Sequence, residues 1–168
     1  ANPPHPLWQH FEGIHILPQP TYSSMYMPMQ GLALAAGQVI MGHIWWGIWA
    51  SGVVAALGLL WMLRGWFSPA WALAGAVLVT ARLCLFSYWT TSYWGGFLPL
   101  LGGALAAGGY ARIVRRGDWR GGMAFGVGAV IGVLSRPFES VLLLTVLGLG
   151  LVYAFTFGSR RGEGKLAS

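Results

Sequence analysis

Two histidines and a glutamate near the start of the chain have the residue types for proton transfer or metal binding. His10, Glu12 and His15 lie in one short polar stretch. A carboxylate beside an imidazole suits general acid–base chemistry, with Glu12 as the base. The five-residue step between the two histidines differs from the i, i+4 spacing of a zinc-binding helix. Acid–base catalysis, metal binding and structural hydrogen bonding are therefore three open interpretations, and no metal ligand is assigned.

A second candidate pair flanks a proline. Arg136 and Glu139 are three positions apart, with Pro137 between them. Arginine can bind a phosphate or carboxylate through two parallel hydrogen bonds, and Glu139 could orient that interaction. The alternative is that Pro137 begins a helix and Glu139 complements the helix dipole. Arg82 lies in an apolar run, where it must reach the membrane interface or a partner such as Glu139.

The composition indicates that membrane-spanning helices position these side chains. Of the 168 residues, 56% are hydrophobic and only 8% are charged, whereas soluble domains carry roughly 25% charged residues. The formal charge of +6 is consistent with the Lys and Arg excess of cytoplasmic loops. The sequence contains no basic stretch with interleaved aromatic residues, which excludes a nucleic-acid-binding protein. The single cysteine, Cys84, cannot form an intrachain disulfide.

Hydropathy divides the chain into about five transmembrane helices, since one crossing needs about 17–25 apolar residues. We therefore predict an all-α membrane protein with spans at about 43–63, 69–86, 95–111, 121–135 and 138–157. The shorter apolar stretch 30–42 predicts an interfacial or re-entrant helix. The predicted organisation is an outer-face loop region at 1–29, this short helix, a transmembrane bundle at 43–158 and a basic cytoplasmic tail at 159–168.

The basic residues predict the orientation of the bundle. Five crossings place three basic groups on one side, which the positive-inside rule assigns to the cytoplasm. These groups are Arg64, then Arg112, Arg115, Arg116 and Arg120, and finally Arg160, Arg161 and Lys165. The N-terminus is then outside and the C-terminus is cytoplasmic. The outer side gathers most of the candidate residues: Glu12, Tyr22, Tyr26, Tyr93, Trp94, Arg136 and Glu139.

Small residues recur at four-residue spacing in the apolar segments, which permits close approach of helix backbones. The pairs are Gly102 and Ala106, Gly103 and Ala107, Gly122 and Gly126, and Gly128 and Gly132. We predict that they mediate packing within the bundle. Most of the ten tryptophans fall near the two predicted interfaces, which favours an aromatic belt over a ligand-stacking role.

Four outer stretches read Pro4-His-Pro-Leu-Trp-Gln-His-Phe-Glu12, Pro20-Thr-Tyr-Ser-Ser-Met-Tyr26, Ser92-Tyr-Trp-Gly-Gly96 and Ser135-Arg-Pro-Phe-Glu139. Together they resemble a bacterial group of multi-span glycosyltransferases with the GT-C architecture. The resemblance covers most of residues 4–145. Family members are longer and carry their acidic base in a loop after a first transmembrane helix, so the chain resembles a truncated or partial member.

The resemblance implies sugar transfer from a polyprenyl-phosphate donor at the outer face of a bacterial cytoplasmic (inner) membrane. Glu12 would act as the base, and Arg136 and Arg82 would hold the donor phosphate, with Glu139 beside them. The other substrate-binding positions are aromatic residues and two histidines: Tyr22, Tyr26, Tyr93, Trp94, His10 and His15. The lipid-linked sugar is a substrate in this scheme, and no resident cofactor is assigned.

A non-catalytic role is the alternative. A short bundle rich in Gly and Trp, with few acids, could be an accessory subunit of a large energy-transducing or photosynthetic membrane complex. His43 could then ligate the metal of a haem or chlorophyll, although its place at a helix start also suits an interfacial hydrogen bond. The predicted partners are membrane lipids, together with either a polyprenyl-phosphate sugar or other membrane subunits.

Overall fold

The computed structural model describes residues 16–17, 23–24, 26–85, 87–93 and 95–163, and the side chains of 26–84, 87–93 and 95–157. The described α-helices are α1 Pro28–Met41, α2 Trp45–Leu63, α3 Pro69–Thr80, α4 Tyr88–Thr91, α5 Phe97–Arg116, α6 Trp119–Val133 and α7 Pro137–Glu163. A π-helical turn, Ala81–Leu85, continues α3. Before α1, the two-residue strands β1 Ile16–Leu17 and β2 Ser23–Ser24 pair antiparallel. Apart from this pairing the regular secondary structure of the described chain is helical, which confirms the predicted all-α class.

Three of the described helices are long and apolar enough to cross a membrane: Trp45–Leu63, Phe97–Arg116 and Pro137–Phe157. Two further apolar helices, Pro69–Cys84 and Trp119–Val133, are shorter. At 1.5 Å per residue the 15 residues of α6 extend about 22 Å, less than a hydrocarbon core of about 30 Å. The structure thus supports a membrane protein with three candidate spans, and helix length does not confirm the other two predicted crossings.

Local sequence signals explain where the helices begin. Pro28, Pro69 and Pro137 each open a helix, because proline fits the first turn, where a backbone N–H has no intrahelical partner. Asp118 caps α6 by accepting a hydrogen bond from the backbone N–H of Arg120, at 2.9 Å.

Two helices extend beyond the apolar runs that predicted them. α5 begins at Phe97 and continues to Arg116, where Gly117 ends it in the left-handed conformation at φ 62°. α7 continues to Glu163, past the predicted end of the fifth span. Arginine has nearly the helix propensity of leucine, so the helices continue where hydropathy falls.

The helix α5 lies at the centre of the bundle and packs against α6, α2 and α7. Its contact with α6 brings the two backbones together. A Cβ added at Gly102 would come within 2.8 Å of the Gly132 nitrogen, and one at Gly128 would come within 2.5 Å of the Ala106 nitrogen. These small residues therefore pack within the bundle as predicted.

The Gly122 and Gly126 pair is an exception, and the prediction for it is wrong. A Cβ at either position would meet no described atom within 4 Å. The face of α6 that packs on α5 instead carries Gly121 with Gly128 and Gly132. Four-residue spacing marks a helix face but does not determine which face of that helix is buried.

The other side of α5 forms a compact apolar core with α2. The buried residues of this core are Ile48, Ala55, Phe97, Leu98 and Leu101. α1 lies against α2 where two glycines meet, since a Cβ at Gly37 would come within 2.8 Å of the Gly47 Cα. The helix predicted at 30–42 is therefore present as α1, and its interfacial or re-entrant placement stays a prediction.

Candidate functional site

Three separate segments enclose a cavity of about 640 Å³ at one end of the bundle. They are the start of α1, the loop before α5, and the turn between α6 and α7. The described residues that line the cavity are Tyr26, Met27, Pro28, Gln30, Gly31, Leu34, Tyr93, Gly95, Ser135, Arg136, Pro137 and Glu139. Four of the predicted site residues therefore lie on one cavity: Tyr26, Tyr93, Arg136 and Glu139.

Two hydrogen bonds hold the cavity walls together. The side-chain amide Nε2 of Gln30 donates to the backbone carbonyl of Tyr93 at 3.2 Å, which links α1 to the loop before α5. The backbone N–H of Met29 donates to the carbonyl of Leu134 at 3.3 Å. Met29 lies in the first turn of α1 and Leu134 caps the end of α6. Both backbone groups would lack partners within their own helices, so their pairing fixes the two segments against each other.

Close approach in the loop before α5 depends on two glycines. A Cβ at Gly95 would overlap the Gln30 side chain, with its Cδ at 2.6 Å, and one at Gly96 would overlap the ring of Trp89. Beside them, the rings of Trp45 and Tyr93 pack with centroids 5.1 Å apart. The glycine pair thus makes room for the cavity wall.

The polar end of the cavity is the first turn of α7. Arg136 Nη1 lies 3.2 Å from Glu139 Oε1, and these side chains are 52% and 64% exposed. A pair this exposed is screened by solvent and adds little to stability, so it can open at little cost. Glu139 lies in the first turn of α7, as predicted, and it complements the helix dipole there. An incoming anion could replace Glu139 as the partner of Arg136.

Ser135 adds a second polar group to this end. Its Oγ is buried and, within the described part of the chain, has no hydrogen-bond partner. A buried hydroxyl without a partner is costly, about 1–3 kcal/mol, so a water molecule or a ligand would supply the missing bond. Neither Ser135 nor Gln30 was selected from the sequence as a binding residue. The only signal was the place of Ser135 directly before Arg136.

The structure does not bring every predicted site residue to the cavity. Arg82 is exposed on the π-helical turn and is not among the described lining residues. The ion pair that the structure shows for Glu139 is with Arg136. The predicted residues His10, Glu12, His15, Tyr22 and Trp94 lie outside the described side chains.

His43 has a local structural role. Its ring Nδ1 accepts a hydrogen bond from the backbone N–H of Trp45, at 3.2 Å, at the start of α2. The structure thus shows a hydrogen bond of His43 at the helix start, and the predicted interfacial placement of that bond stays a prediction. Among the described residues no group of three or more His, Cys, Asp or Glu side chains is placed to hold a metal ion.

Comparison with known proteins gives no relative from which a function could be transferred, since no family model, curated protein or solved structure matches the chain.

Proposed function

We propose that the chain is a membrane glycosyltransferase-like protein whose cavity binds a polyprenyl-phosphate sugar. The observation that supports this most is the joining of Arg136 and Ser135 with Tyr26 and Tyr93 around one cavity. A lipid-linked sugar phosphate has a charged group, a hydroxyl-rich ring and an apolar chain. The cavity presents groups suited to each of these three parts.

The lining divides by chemistry. Arg136 and Ser135 are donors for the phosphate, and an arginine–phosphate contact can be bidentate. Tyr26 and Tyr93 offer ring faces and hydroxyls to the sugar. Met27, Leu34, Pro28 and Pro137 supply apolar surface for the first isoprene units. The volume of about 640 Å³ lies in the range of roughly 300–1,000 Å³ that small-molecule sites occupy.

The proposed reaction is a direct displacement at the sugar. An acceptor hydroxyl attacks the anomeric carbon, and a new C–O bond forms as the bond from that carbon to the phosphate oxygen breaks. Glu12 takes the hydroxyl proton. The polyprenyl phosphate leaves with the electron pair, and Arg136 stabilises its additional negative charge. No covalent intermediate with the protein is needed.

The membrane arrangement is part of the proposal. We infer five crossings, with the cavity at the outer face of a bacterial inner membrane and the C-terminus in the cytoplasm. The loop before α5 lies at the cavity, and Arg112, Arg115 and Arg116 lie at the other end of α5. Twenty helical residues extend about 30 Å, one hydrocarbon thickness. The shorter helices α3 and α6 would cross where the bilayer thins around them.

The enzymatic part is tested by sugar transfer. Native membranes that contain the chain and supply acceptor hydroxyls receive polyprenyl-phosphate mannose or polyprenyl-phosphate glucose, and the release of polyprenyl phosphate is measured. Glu12→Gln should abolish release and keep donor binding, whereas Asp118→Asn, at the start of α6, should change neither. Release that is absent from the wild type, or unchanged in Glu12→Gln, would contradict the enzymatic assignment.

An accessory subunit of a larger membrane complex is the second candidate. The exposed surface of α7 favours this role. Among the described residues of its apolar span, none is buried. Phe138, Leu142 and Val146 are among its exposed side chains. Purification from native membranes in a mild detergent distinguishes the candidates. Stoichiometric recovery with the same partner subunits, together with bound haem or chlorophyll, would favour the accessory role.

A further inference from the structure

A second, smaller cavity lies at the opposite end of α5 and is lined mostly by arginines. Its volume is about 100 Å³. It forms where α2 ends and the last turns of α5 pass beside it. The described lining residues are Arg64, Gly65, Ala111, Arg112, Arg115 and Arg116. We call these four arginines and the space between them the arginine pocket.

Arg112 is fixed in place from several directions. Its Nη1 donates to the carbonyl of Gly108 at 2.9 Å, and its Nη2 donates to the carbonyl of Trp61 at 2.8 Å. Its guanidinium carbon lies 3.6 Å from the centre of a Trp61 ring. That ring lies so close to α5 that a Cβ at Gly108 would overlap it. The side chain of Arg112 is therefore held before any ligand arrives.

Arg115 is held in a similar way. Its Nη1 donates to the carbonyl of Gly65 at 2.7 Å, and its guanidinium carbon lies 5.3 Å from the centre of a Trp66 ring. Trp66 in turn stacks on Tyr110, with ring centroids 6.0 Å apart. Gly65 keeps the pocket open, because a Cβ there would come within 2.9 Å of the Arg112 Nη1.

The other two arginines of the pocket are not held by contacts of this kind with described residues, and each adds one positive charge. The guanidinium groups of Arg64 and Arg116 are exposed and make no hydrogen bond or ion pair with another residue that the structure describes. The described acid nearest in sequence, Asp118, caps the start of α6. The carbonyl end of the α5 dipole offsets only part of the charge, about half an elementary charge at most. Among the described residues Asp118 acts on Arg112 electrostatically, but none of these four guanidinium groups forms an ion pair with a carboxylate.

We propose that the arginine pocket binds the phosphate of an anionic phospholipid headgroup. A phosphate offers several acceptor oxygens, and arginine forks match their geometry. A lipid is favoured over free phosphate because large exposed apolar side chains stand on the turn beside the pocket and at the start of α3. Phe67 and Trp71 are exposed there, where the acyl chains of a bound lipid would lie. A general excess of positive charge on one side of the membrane would not require the side chains of Arg112 and Arg115 to be held in fixed positions. Charge bias alone therefore does not account for the pocket.

Native mass spectrometry of the full chain in detergent tests the proposal. The probes are phosphatidylglycerol, phosphatidylcholine and inorganic phosphate. The wild type should bind one phosphatidylglycerol in preference to phosphatidylcholine, and excess inorganic phosphate should not displace it. Arg64→Gln and Arg116→Gln should each weaken binding about tenfold, the effect of losing one hydrogen bond to a charged group. The matched control Arg120→Gln removes a charge outside the pocket and should change binding less than about twofold.

Gly65→Ala separates geometry from charge, because it retains every arginine while its Cβ displaces the Arg112 guanidinium. It should weaken phosphatidylglycerol binding while the chain stays folded, as judged by circular dichroism. The proposal is overturned if Arg120→Gln weakens binding as much as Arg64→Gln, since binding would then follow net charge alone. Displacement by inorganic phosphate, or wild-type binding by both Gly65→Ala and Arg64→Gln, would also overturn it.

Discussion

The side-chain amide of Gln30 donates a hydrogen bond to the backbone carbonyl of Tyr93 across 63 positions of sequence, at 3.2 Å. This bond links the first turn of α1 to the loop that leads into the central helix α5. Both residues line the larger cavity. The relative position of Tyr26 and Tyr93, the aromatic residues among the described lining residues, therefore depends on how closely α1 approaches that loop.

Gly95→Ala should widen this approach. The new Cβ would overlap the Gln30 side chain, whose Cδ lies at 2.6 Å, so Gln30 or the loop must move. Loss of the hydrogen bond from Gln30, worth about 1 kcal/mol, together with the changed cavity shape should weaken binding of the probe ligand geranyl phosphate about tenfold. Microscale thermophoresis measures this affinity. Gly122→Ala on α6 is the control, because Gly122 is not among the described lining residues and a Cβ there meets no described atom within 4 Å. Equal affinities for the two variants would show that this approach does not shape the binding site.

Ser135→Ala should separate binding from stability. The Ser135 Oγ is buried and lacks a partner among the described residues, so its removal should leave the free energy of unfolding unchanged or raise it by up to about 1 kcal/mol. Geranyl phosphate should nevertheless bind more weakly, because a donor to the phosphate is lost. Thermal unfolding and thermophoresis measure the two effects. A large loss of stability without a change in binding would assign Ser135 a structural role.

Gly128→Ala should destabilise the contact between α5 and α6. Its Cβ would come within 2.5 Å of the Ala106 nitrogen and 2.6 Å of the Gly102 carbonyl oxygen. Overpacking of this kind costs about 1–3 kcal/mol, which should lower the melting temperature by several degrees. Gly126→Ala, two positions away on the same helix, should not lower it, because its Cβ meets no described atom within 4 Å. Equal melting temperatures would contradict the packing described for α6.

Arg112→Gln should destabilise the end of the bundle where α2 meets α5. The change removes hydrogen bonds to the carbonyls of Gly108 and Trp61 and the contact with the Trp61 ring. Hydrogen bonds that involve a charged group contribute about 1.5–3 kcal/mol, so the melting temperature should fall by several degrees. Arg120→Gln removes the same charge from a side chain that lies over Trp119 and should have a smaller effect. Similar losses in both variants would argue against a fixed role for Arg112.

Much of the fold follows from the sequence because apolar runs and prolines act locally. Pro69 and Pro137 mark helix starts that the structure confirms. Helix ends were less predictable, since Arg116 continues a helix where hydropathy has already fallen. The sequence also did not indicate which face of α6 is buried. Gly126 and Gly128 are both glycines, and they differ only in whether their side of the helix meets α5.

The candidate site could be predicted only as far as its residues were assigned to the same side of the membrane. That reasoning brought Tyr93 and Arg136 to the same side, and the structure places both on one cavity. It could not select Gln30, since an amide at the start of an apolar helix carries no pattern that indicates a long-range hydrogen bond. The same reasoning grouped Arg82 with the site because of its predicted depth in the membrane. Residues at one depth can nevertheless face different directions around a bundle.

Under the proposed function, Arg136 and its cavity hold the phosphate of a prenyl-phosphate ligand. The most direct measurement is the dissociation constant of geranyl phosphate for the wild type, Arg136→Gln and the matched charge control Arg120→Gln, with geraniol as the phosphate-free ligand. We predict that Arg136→Gln weakens geranyl phosphate binding at least about tenfold, that Arg120→Gln leaves it unchanged, and that geraniol binds weakly to all three. Equal binding of geranyl phosphate by the wild type and Arg136→Gln would contradict the account.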